Sequence, residues 1–211
     1  MRITKYGISL ESITENDLEL MRNWRNSEHV RQNMKFKKII TSEMQANWFK
    51  QLEKANNIYF VITKDNNKIG VVNLKDINWE INTAEAGIFI GEIEHLNTLT
   101  PILATICIME FAFEILSLKW LRAKISSSNV KTILFNESIG YKKNIKESGD
   151  DFQYYETNVP LFLEATKNIK GILDKMNENG MVMNVTKGEM NLYKLIENIS
   201  FVKGIQLNIE E

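Results

Sequence analysis

The chain has 211 residues, 44% hydrophobic and 25% charged, with a formal net charge of −1. That is enough chain for one globular domain with a full core, and the near-neutral charge excludes the basic footprint of a nucleic-acid binder. A single cysteine, Cys107, excludes an internal disulfide framework. In chain order, Tyr6–Ile13 alternates as a strand, and Thr14-Glu-Asn-Asp17 offers a cap to a helix that carries Leu18, Met21 and Trp24/Arg25 at helical spacing. Ser42-Glu-Met-Gln45 is a capping-box pattern that opens a second helix, with Met44, Trp48 and Leu52 on one stripe and Phe49 alongside. Asn57–Lys64 and Lys68–Ile77 flank Asp65-Asn66-Asn67 and predict a hairpin, and Ala84–Gly91 predicts the next strand.

The helix expected from Pro101 to Ser117 is the most apolar segment. Pro101 suits the first helical position and Thr100 the cap before it. Ile102, Leu103, Ile106, Met109, Phe111, Phe113 and Leu116 leave a narrow polar stripe at Glu110, Glu114 and Ser117, so the helix is expected to be buried on most sides. Thr105, Glu110 and Glu114 make this stretch too short and too polar to span a bilayer. No leader with basic, apolar and cleavage regions is legible, so a cytoplasmic chain without a membrane partner is expected. A strand at Lys119–Ser126 and a helical segment from Asn129 to Gly140 follow. Beyond residue 158, helical spacing over Leu161–Met176, a stop at Asn177-Glu-Asn-Gly180, a strand at Met181–Val185, a helix at Gly188–Asn198 and a strand at Phe201–Ile209 are expected.

This order resembles the GNAT N-acetyltransferases over about residues 3–158. Asn129-Val-Lys-Thr-Ile-Leu-Phe-Asn-Glu-Ser-Ile-Gly-Tyr141 is similar to the family's Asn-x-x-Ala-x-x-Leu-Tyr-x-Lys-x-Gly-Phe segment. The resemblance implies an α/β fold, with a mixed, largely antiparallel sheet flanked by helices. It divides the chain into a domain at 1–158 and a small α/β extension at 159–211, packed on the domain or on a second copy of the chain as a homodimer. Met21-Arg-Asn-Trp-Arg-Asn26, Glu28-His-Val-Arg31, Trp48-Phe49 and Ile69-Gly70 look closest to bacterial enzymes that acetylate amino groups on nucleotide-linked sugars. Ribosomal-protein N-terminal acetyltransferases share a similar Trp-Arg-Asn beginning.

For acetyl-CoA, the resemblance implies main-chain pairing of the pantetheine arm with Ile88, Phe89 and Ile90. The pyrophosphate would sit on amides at the next helix's start, where the dipole favours anions. There the family's Arg/Gln-x-x-Gly-x-Gly/Ala loop is replaced by Leu96-Asn-Thr-Leu-Thr-Pro101. Asn97, Leu99 and Pro101 stand where glycines are usual, so the loop path should change, and Pro101 removes a donor. Amides of Asn97, Thr98, Leu99, Thr100, Ile102 and Leu103 and the two threonine hydroxyls are the expected ligands, with Asn129 across from them. Glu92 and Glu94 would repel phosphates if turned inward.

Acetyl transfer requires a deprotonated amine and stabilisation of the departing thiolate. Glu85 is the candidate base; His29 and, more weakly, His95 are alternatives. Asn136 replaces the family's usual acid tyrosine and can only hydrogen-bond a thiolate; Tyr141, Tyr154 or Tyr155 would substitute as donor, or the thiolate would leave unassisted or take a proton from water. Trp24, Arg25, Asn26, His29 and Arg31 are the candidate acceptor-binding residues, because arginine forks suit a diphosphate and an indole can stack on a base or sugar. The expected activity is acetyl transfer from acetyl-CoA to a small-molecule amine, an amino sugar on a nucleotide, with no metal. A protein N-terminus as acceptor, or a GNAT-fold binding module without catalysis, are the alternatives.

Overall fold

The computed structural model describes residues 1–52, 56–147, 149, 151–176, 180–186 and 205–210. The described residues form ten strands in one sheet: β1 (Arg2–Lys5), β2 (Ile8–Ser12), β3 (Ile58–Lys64), β4 (Asn67–Asn78), β5 (Thr83–Ile90), β6 (Trp120–Ser126), β7 (Lys142–Asn144), β8 (Phe152–Asn158), β9 (Met181–Thr186) and β10 (Ile205–Glu210). Their spatial order is β10-β9-β1-β2-β3-β4-β5-β6-β8-β7. Neighbours run antiparallel except β5 with β6 and β9 with β10, which is the mixed, mostly antiparallel sheet expected. Helices α1 (Leu18–Asn26), α2 (Glu28–Arg31), α3 (Ser42–Leu52), α4 (Thr100–Glu110), α5 (Val130–Ser138) and α6 (Val159–Met176) flank it.

Alternation along the strands sorts side chains onto two faces. Phe60, Ile62, Val72, Leu74, Ala84, Leu121 and Ala123 join α4 in the larger core. Val61, Val71 and Phe89 face the opposite way and pack against Met21, Trp24 and Trp48 of α1 and α3. The helix α6 leaves β8 near one edge of the sheet and ends before β9 at the other, and Phe162, Ile169 and Leu173 add to the α4 core.

Several local expectations change. Tyr6–Ile13 is not one strand: Tyr6 (φ 57) and Gly7 (φ 73) turn between Lys5 and Ile8. Two positive φ angles match the right-handed strand twist, so the chain reverses there. Asp65 (φ 49) and Asn66 (φ 63) do the same between β3 and β4. The cap of α3 is Thr41, one residue before the expected Ser42; its Oγ1 accepts from Met44 N–H at 3.2 Å. Thr100 is the first residue of α4, and the Thr98 hydroxyl accepts its N–H at 3.2 Å. After Glu110 the helix widens into a π turn over Phe111–Ile115, and Leu116 N–H bonds Phe111 O at 3.0 Å.

The polar stripe on α4 is also misread from spacing. Glu110 is fully buried, held by Lys5 Nζ at 2.8 Å, Lys170 Nζ at 2.7 Å and the Tyr6 hydroxyl at 3.0 Å. The partners come from β1, the first turn and α6, which no local pattern could bring together. In the tail, the expected strands fall on β9 and on the described part of β10, whereas the helix expected at Gly188–Asn198 lies outside the described residues. No helix among the described residues is long and apolar enough to cross a membrane.

Candidate active site

The strands β5 and β6 pair only at Thr83↔Trp120, Ala84↔Leu121 and Glu85↔Arg122. Beyond Glu85 they part, leaving Ala86–Ile90 with no partner on that side and Ala123–Ser126 paired with β8 alone. A β-bulge between Lys75 and Asn78 of β4 lies level with the point of separation, where extra twist is introduced. Unpaired strand backbone is a row of donors and acceptors ready for another extended chain. Ile88, Phe89 and Ile90 occupy this run, and His29 Nε2 lies 3.3 Å from the carbonyl of Ile90.

At the C-terminal end of β5 the glycine-free loop folds on itself. Ile93–His95 forms a 3-10 turn, His95 N–H bonds Glu92 O at 3.1 Å, and Thr98 N–H bonds His95 O at 3.3 Å. The Thr98 hydroxyl donates to His95 O at 2.9 Å, and Thr100 Oγ1 lies 3.1 Å from it. Leu103 N–H is bonded to Leu99 O at 3.0 Å. The expected amides of Thr98, Thr100 and Leu103, and both hydroxyls, are therefore already engaged within the loop. The N–H groups of Asn97, Leu99 and Ile102 make no hydrogen bond among the described residues. These three donors stand at the start of α4, where the positive end of the helix dipole favours an anion.

Other polar atoms around the gap also lack partners. His95 Nδ1 in the loop and Ser127 Oγ after β6 are buried without a hydrogen bond. Asn129 caps α5, its side-chain oxygen accepting from Thr132 N–H at 3.2 Å. Glu92, expected to threaten phosphate binding, is turned away: Trp24 Nε1 donates to its carboxylate at 2.8 Å. Open donors at a helix start beside unpaired strand backbone fit a long ligand with a phosphate at one end and amides along its arm.

Of the reacting groups, Glu85 lies on the α1/α3 face beside the gap, on the same side of β5 as Phe89, whereas Tyr141 belongs to the larger core with α4. Glu85 is half-buried and pairs with Lys75 Nζ at 2.6 Å, its neighbour across the strands. Tyr141 is buried; burial, and then the charge of Glu85, raise its hydroxyl above the ordinary range. Asn136 is buried too, and its NH2 back-bonds to Thr132 O at 2.8 Å. Among the alternative tyrosines, the Tyr155 hydroxyl donates to Gln153 at 3.0 Å, and the Tyr154 ring lies 4.8 Å from Lys124 Nζ.

The acceptor candidates separate into two groups. The Trp24 indole is core, lying edge-on to Phe89 at 6.5 Å and over Gly91, where a Cβ would sit 2.2 Å from the ring. Asn26 holds the following loop, exchanging hydrogen bonds with Ile40 O at 2.9 Å and Ile40 N–H at 2.8 Å. Neither is free for a substrate. Arg25 differs: it forms no ion pair among the described residues, one guanidinium nitrogen is buried without a partner, and burial lowers its pKa. Arg31 is partly buried at the end of α2. Spacing alone did not mark Asn73, Tyr59 or Lys75. The one available signal was Asn73 itself, an amide within the apolar run Ile69-Gly-Val-Val-Asn-Leu74.

Comparison with known proteins agrees with this geometry. Residues 8–142, more than half of the chain, match the acetyltransferase (GNAT) domain. An uncharacterized protein of Methanocaldococcus jannaschii is 28% identical over 172 residues; the match covers 72% of this chain but 31% of that protein, so the chain spans about a third of its curated relative. The spermidine N-acetyltransferase of Vibrio cholerae, solved with CoA and spermine, superposes with a TM-score of 0.67 at 20% identity, covering 74% of this chain and 98% of that one. The apo form of FdhC, a nucleotide-linked sugar GNAT, superposes with a TM-score of 0.68 at 21% identity, covering 82% and 98%. At these identities the two structures speak for the fold alone. The parted β5 and β6, the open amides before α4 and the match over residues 8–142 lead to one conclusion: the chain belongs to the GNAT acetyltransferase family.

Proposed function

We propose that the protein is an N-acetyltransferase that moves the acetyl group of acetyl-CoA to a primary amine, the amino group of a nucleotide-linked amino sugar. The observation that carries this reading is the gap between β5 and β6, with three uncommitted amides at its phosphate end. In it, Ile88–Ile90 hold the pantetheine arm through their main chain, and Asn97, Leu99 and Ile102 hold the pyrophosphate through N–H groups, assisted by His95. Acetyl-CoA supplies an activated acyl group on a fair leaving group, since an ordinary thiol has a pKa of about 8.5.

The remaining work falls to the chain's side chains. Glu85 takes a proton from the acceptor amine, directly or through a water, while its ion pair with Lys75 holds the carboxylate in position. Tyr141 retains its proton at neutral pH because burial opposes its ionisation, which is the state a donor to a departing thiolate requires. The sugar acceptor is favoured over a protein N-terminus by the unpartnered Arg25 on the acceptor side and by the residue pattern of α1 and α2. Thermal unfolding tests the reading first. Acetyl-CoA at one hundred times its dissociation constant should stabilise the protein by about 2.7 kcal/mol; no shift at millimolar ligand would mean that the gap is not its site. Release of free thiol with nucleotide-amino-sugars then identifies the acceptor, and release with peptides alone would overturn the sugar.

A further inference from the structure

Among the described residues, Arg25 and Asn73 are the two on the α1/α3 face with a side-chain nitrogen that is buried without a hydrogen bond. They belong to one neighbourhood. Asn73 lies directly across from Tyr59 on β3 and Gly87 on β5. Arg25 lies within electrostatic reach of Tyr59, which also feels Glu85. Tyr59 is held upright by Trp48, edge-on at 5.1 Å. The Asn73 amide is laid over Gly87, since a Cβ there would meet its oxygen at 2.9 Å. Gly87 is in the unpaired run of β5, two residues past Glu85 on the same face of the sheet. The amide therefore borders the candidate base, and the guanidinium joins the same neighbourhood through Tyr59.

A buried donor left open costs free energy, and a guanidinium costs more than an amide. Native chains keep such groups where something else completes them. Two threonine hydroxyls, Thr63 and Thr157, are also unpartnered, but neither carries a charge or a nitrogen donor. Arg25 and Asn73 instead present nitrogen donors toward one face, with no acceptor supplied by the fold. Local charge bears on the choice. Tyr59 feels the carboxylates of Asp76 and Glu85. Glu85 is neutralised by Lys75 at 2.6 Å, and Arg25 is the cation here with no ion pair among the described residues, so a polycation placed against the guanidinium would be repelled.

We propose that Arg25 and Asn73 form a specificity subsite that takes an anionic oxygen group of the acceptor, a carboxylate or a phosphoryl, and so selects acidic amines over polyamines. The proposal rests on the reading of the gap as the acetyl-CoA site, and it goes further by naming the acceptor's chemistry at residues beside the base. Arginine matches both oxygen groups bidentately, and the amide supplies a neutral donor alongside.

The test uses glucosamine 1-phosphate, muramic acid, neutral glucosamine and spermidine as acceptors of the full chain, with thiol release as readout. Either acidic amine should exceed glucosamine and spermidine at least about tenfold in kcat/KM, the effect of one charged hydrogen bond; the first two compounds tell phosphoryl from carboxylate. Arg25→Gln should raise KM for the acidic amine about tenfold and leave KM for glucosamine unchanged, and Asn73→Ala should act in the same direction. Preference for spermidine, or an equal loss with every amine, would overturn the subsite. A readout independent of turnover separates this from failure of the acetyltransferase reading: glucosamine 1-phosphate or muramic acid should raise the melting temperature of the wild type and not of Arg25→Gln. If neither does so, the subsite is wrong even where acetyl-CoA binds.

Discussion

Two charges on opposite faces of the sheet, the buried Glu110 and the half-buried Arg25, have been treated in opposite ways. Glu110, beneath α4, is enclosed by Lys5, Lys170 and Tyr6. Although burial alone would lower the pKa of Lys170, its hydrogen bond to Glu110 holds it above the ordinary lysine value. Arg25, near the end of α1, pairs with no carboxylate among the described residues, and burial lowers its pKa, opposed only in part by Tyr59. The first charge ties three separated segments together, whereas the second gives the fold nothing it needs. A charge completed by the chain points to stability; one left incomplete points to a ligand.

The comparison can be broken by substitution. Glu110→Gln keeps the shape but strands two ammonium groups, and it should cost about 3–5 kcal/mol in denaturant unfolding; a loss below 1 kcal/mol would show that the cluster is an ornament of the fold. Gly91→Ala pushes a methyl group into the Trp24 ring and should cost about 1–3 kcal/mol through overpacking, with a change in tryptophan fluorescence as the indole leaves Glu92. An unchanged spectrum would mean that the contact is looser than the 2.2 Å approach implies. Arg25→Met should be smallest, within about 0.5 kcal/mol of wild type or slightly stabilising, because function rather than folding retains the charge. A loss near that of Glu110→Gln would give both charges the same structural role.

Much of the fold was legible because its signals are local. The Asp65-Asn66 turn and the apolar α4 each depend on neighbours within a few residues, and both appear where spacing placed them. Gly140 was read as a helix stop, and it has φ 97 with the Leu161 carbonyl 2.5 Å from where a Cβ would sit. The conformation was foreseeable, but the approach of α6 was not. The candidate site was less legible. Trp24, Asn26 and Arg25 share one helix and one motif, yet two are held by the fold and the third is left open, a distinction created by Glu92, Ile40 and the lack of an ion-pair partner for Arg25 among the described residues.

The amino-acid order by itself determined most of the succession of strands and helices and the glycine-free loop, since periodicity, caps and turns act over a few residues, and Asn129–Tyr141 carried the resemblance to the family. Only the tertiary structure decided that β5 and β6 part after Glu85, that Asn97, Leu99 and Ile102 keep their amides open, and that Glu110 is enclosed while Arg25 is not. Whether a polar group is satisfied depends on what the rest of the chain brings within about 3 Å of it, and that is a property of packing.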